Sequence, residues 1–323
     1  MIDIQDIRKA QEMLRGRVHR TPVLGSRTLG RRIGATALLK VEAFQRTGSF
    51  KARGVLNRLH SLTTDERERG LVTVSAGNHA QAVAWGSAQE GVRAVVVMPE
   101  HASPAKVAAC REYGADIVLH GDVFDAFARM EELRAQHGYT LVHPFDDPAI
   151  IAGQGTVGAE MCEDIPDLDV VIVPVGGGGL LSGVATAVRA LRPRARIIGV
   201  EPMGAPALRR ALDAGHPVRL ERVDTIADGL GAPMTGPHVL EHVRATVDDV
   251  VTVSDESIAD ALRFLLERCK LLVEPAGAAG VAALLDGTVS VPADSRVAVV
   301  LSGGNIDLPR LRTLLPCSLD PPR

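Results

Sequence analysis

Short runs of β-branched and other apolar residues recur along the chain. Longer stretches with helical spacing of apolar positions separate them. LVTVS (71–75), RAVVVM (93–98), DIVLH (116–120), VVIVPV (170–175), RIIGVE (196–201), VVTVS (250–254) and VAVVLS (297–302) read as buried strands. Between them, HAQAVAWGSAQEG (79–91), PAKVAACREYGA (104–115) and VFDAFARMEELRAQHG (123–138) read as amphipathic helices. Strands apolar on both faces that alternate with helices predict an α/β fold with open, mostly parallel sheets covered on both sides. HPFDDP (143–148) breaks the pattern. It predicts a small domain over 70–146 and a large domain assembled from 1–69 and 147–323, each with its own sheet.

Composition narrows the partners. The 323 residues are 46% hydrophobic and 23% charged with a net charge of -3, as in an ordinary globular protein. No basic excess invites nucleic acid or an anionic membrane, and aromatics at 3% are too scarce for base stacking. The longest apolar runs fall well short of the ~20 residues of a membrane span. The first residues are charged throughout, so no secretory leader is expected. Cys110, Cys162, Cys269 and Cys317 show no metal spacing and read as buried free thiols in a reducing cytoplasm. Of 36 basic residues only Lys9, Lys40, Lys51, Lys106 and Lys270 are lysine. Arginine cannot replace lysine as a Schiff-base nucleophile, because its guanidinium stays protonated.

Open α/β sheets bind ligands at the carboxyl ends of their strands, and four such ends carry chemistry here. Gly176, Gly177, Gly178 and Gly179 lie between VVIVPV and a helical stretch, where their amides and the helix dipole suit a phosphate. Ala76, Gly77, Asn78 and His79 follow LVTVS and present amides suited to a carboxylate, although Ser75 or Asn78 as a plain helix cap explains the same residues. Ser302 closes VAVVLS before Gly303 and Gly304, where a plain turn is an equal explanation. Thr47, Gly48 and Ser49 turn the chain before Phe50 and Lys51. An amine, an aromatic wall, a phosphate cradle, a carboxylate loop and a hydroxyl together describe a site for a phosphorylated aldehyde, pyridoxal 5'-phosphate. One rival stands beside it. Gly177-x-Gly179-x-x-Ser182, with Glu201 about 20 residues on, is one glycine short of a dinucleotide fingerprint and would make the chain an NAD-dependent oxidoreductase.

TGSFKARG, SAGNHAQ, VPVGGGGLLSG and LSGGNIDL occur in this order, joined by TPVL, IAGQGT, TIADG and LLVEPAGA. The set resembles the fold-type II pyridoxal-phosphate enzymes related to tryptophan synthase β, in the serine/threonine dehydratase branch and nearest the short catabolic threonine dehydratases. The resemblance implies that the cofactor sits in a cleft between the domains as a Schiff base with Lys51. Phe50 would pack on its ring, and Gly176 to Gly179 with Leu180 would hold its phosphate. Asn78 would bond the ring hydroxyl and Ser302 the ring nitrogen. Ser75, Ala76, Gly77 and His79 would line the site of the substrate carboxylate. It also implies a homodimer or homotetramer.

Within the family, the implied activity is elimination of water from L-threonine, and from L-serine, to give a 2-oxo acid and ammonia. A neutral hydroxyl at the ring nitrogen favours elimination over a long-lived carbanion. Similar racemases carry a second acid–base serine where Ala76 stands, and alanine relays no proton. Their metal ligands would correspond to Glu201, Ala205 and Ala207, so a metal is not expected and Glu201 reads as a solvated strand end. The arginine that reads a β-carboxylate would fall near Ala126. Gln81, Tyr113, Lys270 and Asn305 fall where short relatives contact a nucleotide, and each also has an ordinary structural role. Few residues follow LSGGNIDL, so feedback through a C-terminal regulatory domain is not expected. Other β-hydroxy amino acids (phenylserine, hydroxyaspartate, a hydroxyectoine breakdown product), serine racemisation and a non-catalytic cofactor-binding protein remain alternatives.

Overall fold

The structure, a computed structural model, describes residues 1–315, so Cys317 lies outside the described residues. Ten strands among them are, in chain order, β1 (Val23–Gly25), β2 (Thr36–Val41), β3 (Leu71–Val74), β4 (Ala94–Met98), β5 (Asp116–Leu119), β6 (Thr140–Leu141), β7 (Val170–Pro174), β8 (Arg196–Pro202), β9 (Asp249–Val253) and β10 (Arg296–Leu301). They form a six-stranded sheet in the order β1-β2-β10-β7-β8-β9 and a four-stranded sheet in the order β5-β4-β3-β6. Every pairing is parallel except that of the short edge strand β1 with β2. All seven apolar runs are strands, and β1, β2 and β6 are additions to that pattern.

The central strands are buried on both faces because helices cover both sides. Val171 and Val173 point to one face of β7, where they pack with Ile7, Val157, Leu181 and Val184. Val170 and Ile172 point to the other, against Leu39, Val281 and Val299. The period of two in the side chains divides one strand between two cores.

Strand order decides what meets at the carboxyl edge. β2, β10 and β7 are neighbours. Their ends therefore deliver the 42–50 loop, Ser302 and the glycine loop side by side. In the other sheet, β3 lies between β4 and β6. Its end delivers Ser75 to His79, and the end of β6 delivers HPFDDP.

One buried ion cluster fixes the first of these loops. Arg53 lies in the Lys51–His60 helix and is fully buried. Its Nε donates to Glu42 Oε2 at 2.8 Å and its Nη2 to Glu42 Oε1 at 2.8 Å. Its Nη1 donates to Glu160 Oε1 at 2.7 Å. Lys40, inside β2, donates to Glu160 Oε2 at 2.6 Å and to the Thr21 carbonyl at 2.7 Å. Two cations and two carboxylates leave the cluster neutral. It joins β2, the Lys51–His60 helix and the Pro148–Asp164 helix. The two helices touch at glycines: a Cβ on Gly153 would lie 2.6 Å from Gly54 Cα. Replacing Arg53 by methionine takes the cationic partner from two buried carboxylates, Glu42 and Glu160. It is expected to lower the unfolding free energy by about 3–5 kcal/mol, measured by urea denaturation.

Candidate active site

Lys51 is the first residue of its helix. Its Nζ donates to the Pro144 carbonyl at 2.6 Å and lies 5.2 Å from the centre of the Phe50 ring. Among the described residues no acid pairs with it. Burial of the amine lowers its pKa to about 8, because an ammonium loses hydration that a single carbonyl replaces only in part. Lys40 is the informative contrast, a buried lysine already committed to Glu160.

HPFDDP is more than a boundary. His143 Nδ1 accepts from the Phe145 and Asp146 amides at 3.2 and 2.8 Å, which requires the neutral ring, and burial first of all lowers its pKa. The Pro144 carbonyl takes the Lys51 amine. Asp146 Oδ1 accepts from Val239 N in the Pro237–Thr246 helix at 2.9 Å, and Asp147 caps the Pro148–Asp164 helix. Phe145 meets the glycine loop. A Cβ on Gly177 would stand 2.1 Å from its ring, and one on Gly179 2.7 Å from its carbonyl. Gly178 adopts φ +94°, in the left-handed region, as cap of the Gly179–Leu191 helix. The loop therefore needs glycine for close approach as well as for any anion its amides would hold. Leu180 follows in the first turn and is buried. Within two residues, Pro144 and Phe145 bridge the Lys51 amine to the glycine loop.

The SAGNHAQ stretch forms the start of the Asn78–Glu90 helix, whose first-turn amides have no acceptor inside the helix. Neither Ser75 nor Asn78 is its cap. Gly77 holds that position without a side-chain bond, and Ser75 Oγ accepts from Gly77 N at 3.1 Å. Asn78 instead donates through Nδ2 to Glu274 Oε1 at 2.6 Å and accepts at Oδ1 from Asn305 Nδ2 at 2.8 Å. The His79 ring turns away from the helix start and donates through Nε2 to the Val142 carbonyl at 3.0 Å. Burial, then the charge of Lys51, lowers its pKa to about 3, so it is neutral. Only its backbone amide is left for a carboxylate. Ser302 is buried at the end of β10, and its carbonyl accepts from Phe50 N at 3.1 Å. Thr47 Oγ1, Ser49 Oγ and His79 Nδ1 are buried without partners. Such orphans, with an amine that has no acid partner and a glycine cradle, fit a polar ligand that carries a phosphate and an aldehyde.

Two expectations are corrected. Glu201 is fully buried rather than solvated: its oxygens accept from Leu208 N and Arg209 N, both at 2.8 Å, at the start of the Ala207–Ala214 helix. Burial raises its pKa to about 7. A carboxylate committed to a helix end cannot grip a ribose, which removes the acid of the dinucleotide rival, and Ala205 beside it is buried and offers no side-chain ligand. Ala126, where the β-carboxylate-reading arginine would fall, is buried in the core against the four-stranded sheet. The thiols of Cys110 and Cys162 are buried, while Cys269 is half-exposed. Gln81 is buried, Lys270 donates to the Glu267 carbonyl, and Asn305 belongs to the Asn78 cluster. Sequence reasoning assigned no role to Glu274, Pro144 or Phe145. A charged residue inside the apolar stretch LLVEPAGAAGVAALL is the one signal that marks Glu274.

Comparison with known proteins agrees with this geometry. The chain is 45% identical over 309 residues to an L-threonine ammonia-lyase of Thermotoga maritima, covering 95% of this chain and 77% of the relative. It is 42% identical over 312 residues to the catabolic L-threonine dehydratase TdcB of Escherichia coli, covering 96% and 95%. The structure superposes on a maize serine racemase with a TM-score of 0.91 at 38% identity, covering 96% of both chains. Residues 14–303 match the family described as pyridoxal-phosphate dependent enzyme, and the chain belongs to it.

Proposed function

We propose that the chain is a pyridoxal-phosphate-dependent ammonia-lyase that converts L-threonine to 2-oxobutanoate and ammonia, and L-serine to pyruvate and ammonia. The carrying observation is Lys51: a half-buried lysine whose amine meets the Pro144 carbonyl and no acid partner, its pKa lowered to about 8 by desolvation. A structural lysine would be paired, as Lys40 is. When bound, the cofactor supplies an aldehyde for the substrate amine and an electron sink for the adjacent bond.

The residues of the chain do the rest. Amides of Gly176 to Gly179 and Leu180 would hold the phosphate, and Phe50 would cover the ring. Asn78 would donate to the ring hydroxyl, and Ser302 would offer a neutral hydroxyl at the ring nitrogen. Amides of Ala76 to His79, with Ser75, orient the substrate carboxylate. Lys51, neutral once its proton is gone, takes the proton from the α-carbon. Ala76 supports elimination over racemisation, since it has no proton to return on the opposite face. The proposal includes a cytoplasmic setting, supported by the free Cys110 and Cys162. It also includes a homo-oligomer, which light scattering measures.

Two outcomes test this reading. Lys51→Ala is expected to lose the visible cofactor band and about a thousandfold or more of 2-oxo acid release, with an unchanged circular dichroism spectrum. Wild-type turnover in that variant would end the reading. Below pH 8 the Lys51 amine is protonated and cannot attack an aldehyde. The rate at which apoprotein takes up pyridoxal phosphate should therefore rise with pH through about 8 and level off. An ordinary lysine would keep rising toward ~10.4. Absorbance stopped-flow reads the difference.

A further inference from the structure

We propose that Glu274 is a positioning residue whose ionised carboxylate sets the orientation of the Asn78 amide and so determines which atom Asn78 presents to the cofactor. The inference rests on the cofactor reading above.

A side-chain amide has two donors on one end and an acceptor on the other, so a half-turn exchanges what it offers. At Asn78 that choice is made by two neighbours. Glu274 Oε1 takes one Nδ2 hydrogen at 2.6 Å. Asn305 gives its own Nδ2 to Asn78 Oδ1 at 2.8 Å and to the Thr47 carbonyl at 2.6 Å. Asn305 therefore faces Asn78 as a donor. A flipped Asn78 would set oxygen against carboxylate and N–H against N–H. The observed orientation leaves one Nδ2 hydrogen for a ligand, as an acceptor such as a ring oxygen requires.

Glu274 is buried, directly precedes the Pro275–Leu285 helix and makes no side-chain capping bond to it. A Cβ on Gly303 would lie 2.5 Å from its Oε1 and 3.0 Å from Ser49 Cβ, so it stands directly behind the cleft. The groups that face it are Asn78, Lys106 from the Pro104–Glu112 helix and Asp228 from the Asp228–Leu230 turn. Burial raises its pKa to about 7; Asn78 and Lys106 oppose the rise and Asp228 adds to it. Once protonated, Glu274 can donate to a flipped Asn78, and the preference weakens.

The sign for stability is opposite to the sign for positioning. A carboxyl whose folded pKa lies above its unfolded value stabilises the fold when protonated, and that contribution is lost as pH rises through about 7. The isosteric variant separates the two roles.

The experiment measures pyridoxal phosphate affinity of the intact chain, by its visible band, for wild type and Glu274→Gln across pH 6 to 8.5. Lys51 titrates in the same range, so the readout is the wild-type-to-variant ratio. A neutral acceptor replaces a charged one, and charge-assisted bonds are about twice as strong. The ratio is expected to be about three- to tenfold near pH 8.5 and to shrink toward one near pH 6. The variant apoprotein should melt at or above wild type near pH 8. A pH-independent ratio overturns the proposal, as does a lower melting temperature with unchanged affinity. If wild type shows a band that Lys51→Ala loses, and Glu274→Gln matches wild type at every pH, this inference alone fails. If wild type shows no band, the cofactor reading fails and this one with it.

Discussion

The buried cluster of Arg53, Glu42, Glu160 and Lys40 is the constraint on which the site depends. Four charges withdrawn from water are tolerable only when each finds its partners in good geometry. That requirement is satisfied at one rotation of the Lys51–His60 helix. Arg53 follows Lys51 by two residues, or about 200° around a helix of 3.6 residues per turn. With Arg53 held in the cluster, Lys51 is turned to nearly the opposite side, toward Pro144 and the glycine loop. An apolar cluster of the same volume would bury as well, but it would not fix the rotation so sharply. In TGSFKARG, the arginine and the lysine are two ends of one device.

The segment from His143 to Pro148 plays the same part for the opposite wall. It leaves β6 of the four-stranded sheet, and nearly every residue has a separate contact. His143 ties the turn, Pro144 receives the amine, Phe145 packs on the glycine loop, and Asp146 and Asp147 satisfy the starts of two helices. Those two helices flank the six-stranded sheet. The turn therefore carries the position of one sheet to the glycine loop of the other.

These contacts also mark where sequence reading stops. The apolar runs of β3, β4, β7, β8 and β10 were legible as strands because burial on both faces writes itself locally into the chain, whereas β5 and β9 are partly exposed and show only their β-branched composition. β2 was not, since Lys40 interrupts it and its partner Glu160 lies 120 residues away. Lys51, the glycine loop, Asn78 and Ser302 stood out as candidates because each follows a strand or a turn, and the strand order brings the 42–50 loop, Ser302 and the glycine loop side by side. Glu274, Phe145 and Pro144 act only through space, and one of them through a backbone carbonyl that any residue would supply. Glu201 was misread for a related reason: the end of a strand looks exposed until the next helix folds over it.

The cleft drives its titratable groups toward neutrality from both directions. Lys51 is lowered to about 8, His79 to about 3, and Glu274 is raised to about 7. Desolvation is the largest cause for each, so the common factor is a dry environment rather than a particular neighbour. For Lys51 the stabilising contribution is complete only above its unfolded value of ~10.4 and is lost as pH falls through about 8. Near neutral pH, a charged Lys51 therefore costs the empty fold stability. Its hydrogen bond to Pro144 recovers only part of the lost hydration, and the fold retains it because the Arg53 cluster leaves the helix no other rotation. The orientation that desolvates the amine is thus maintained by ionic contacts two residues away. Here the buried ion cluster and the desolvated amine lie on opposite faces of one helix.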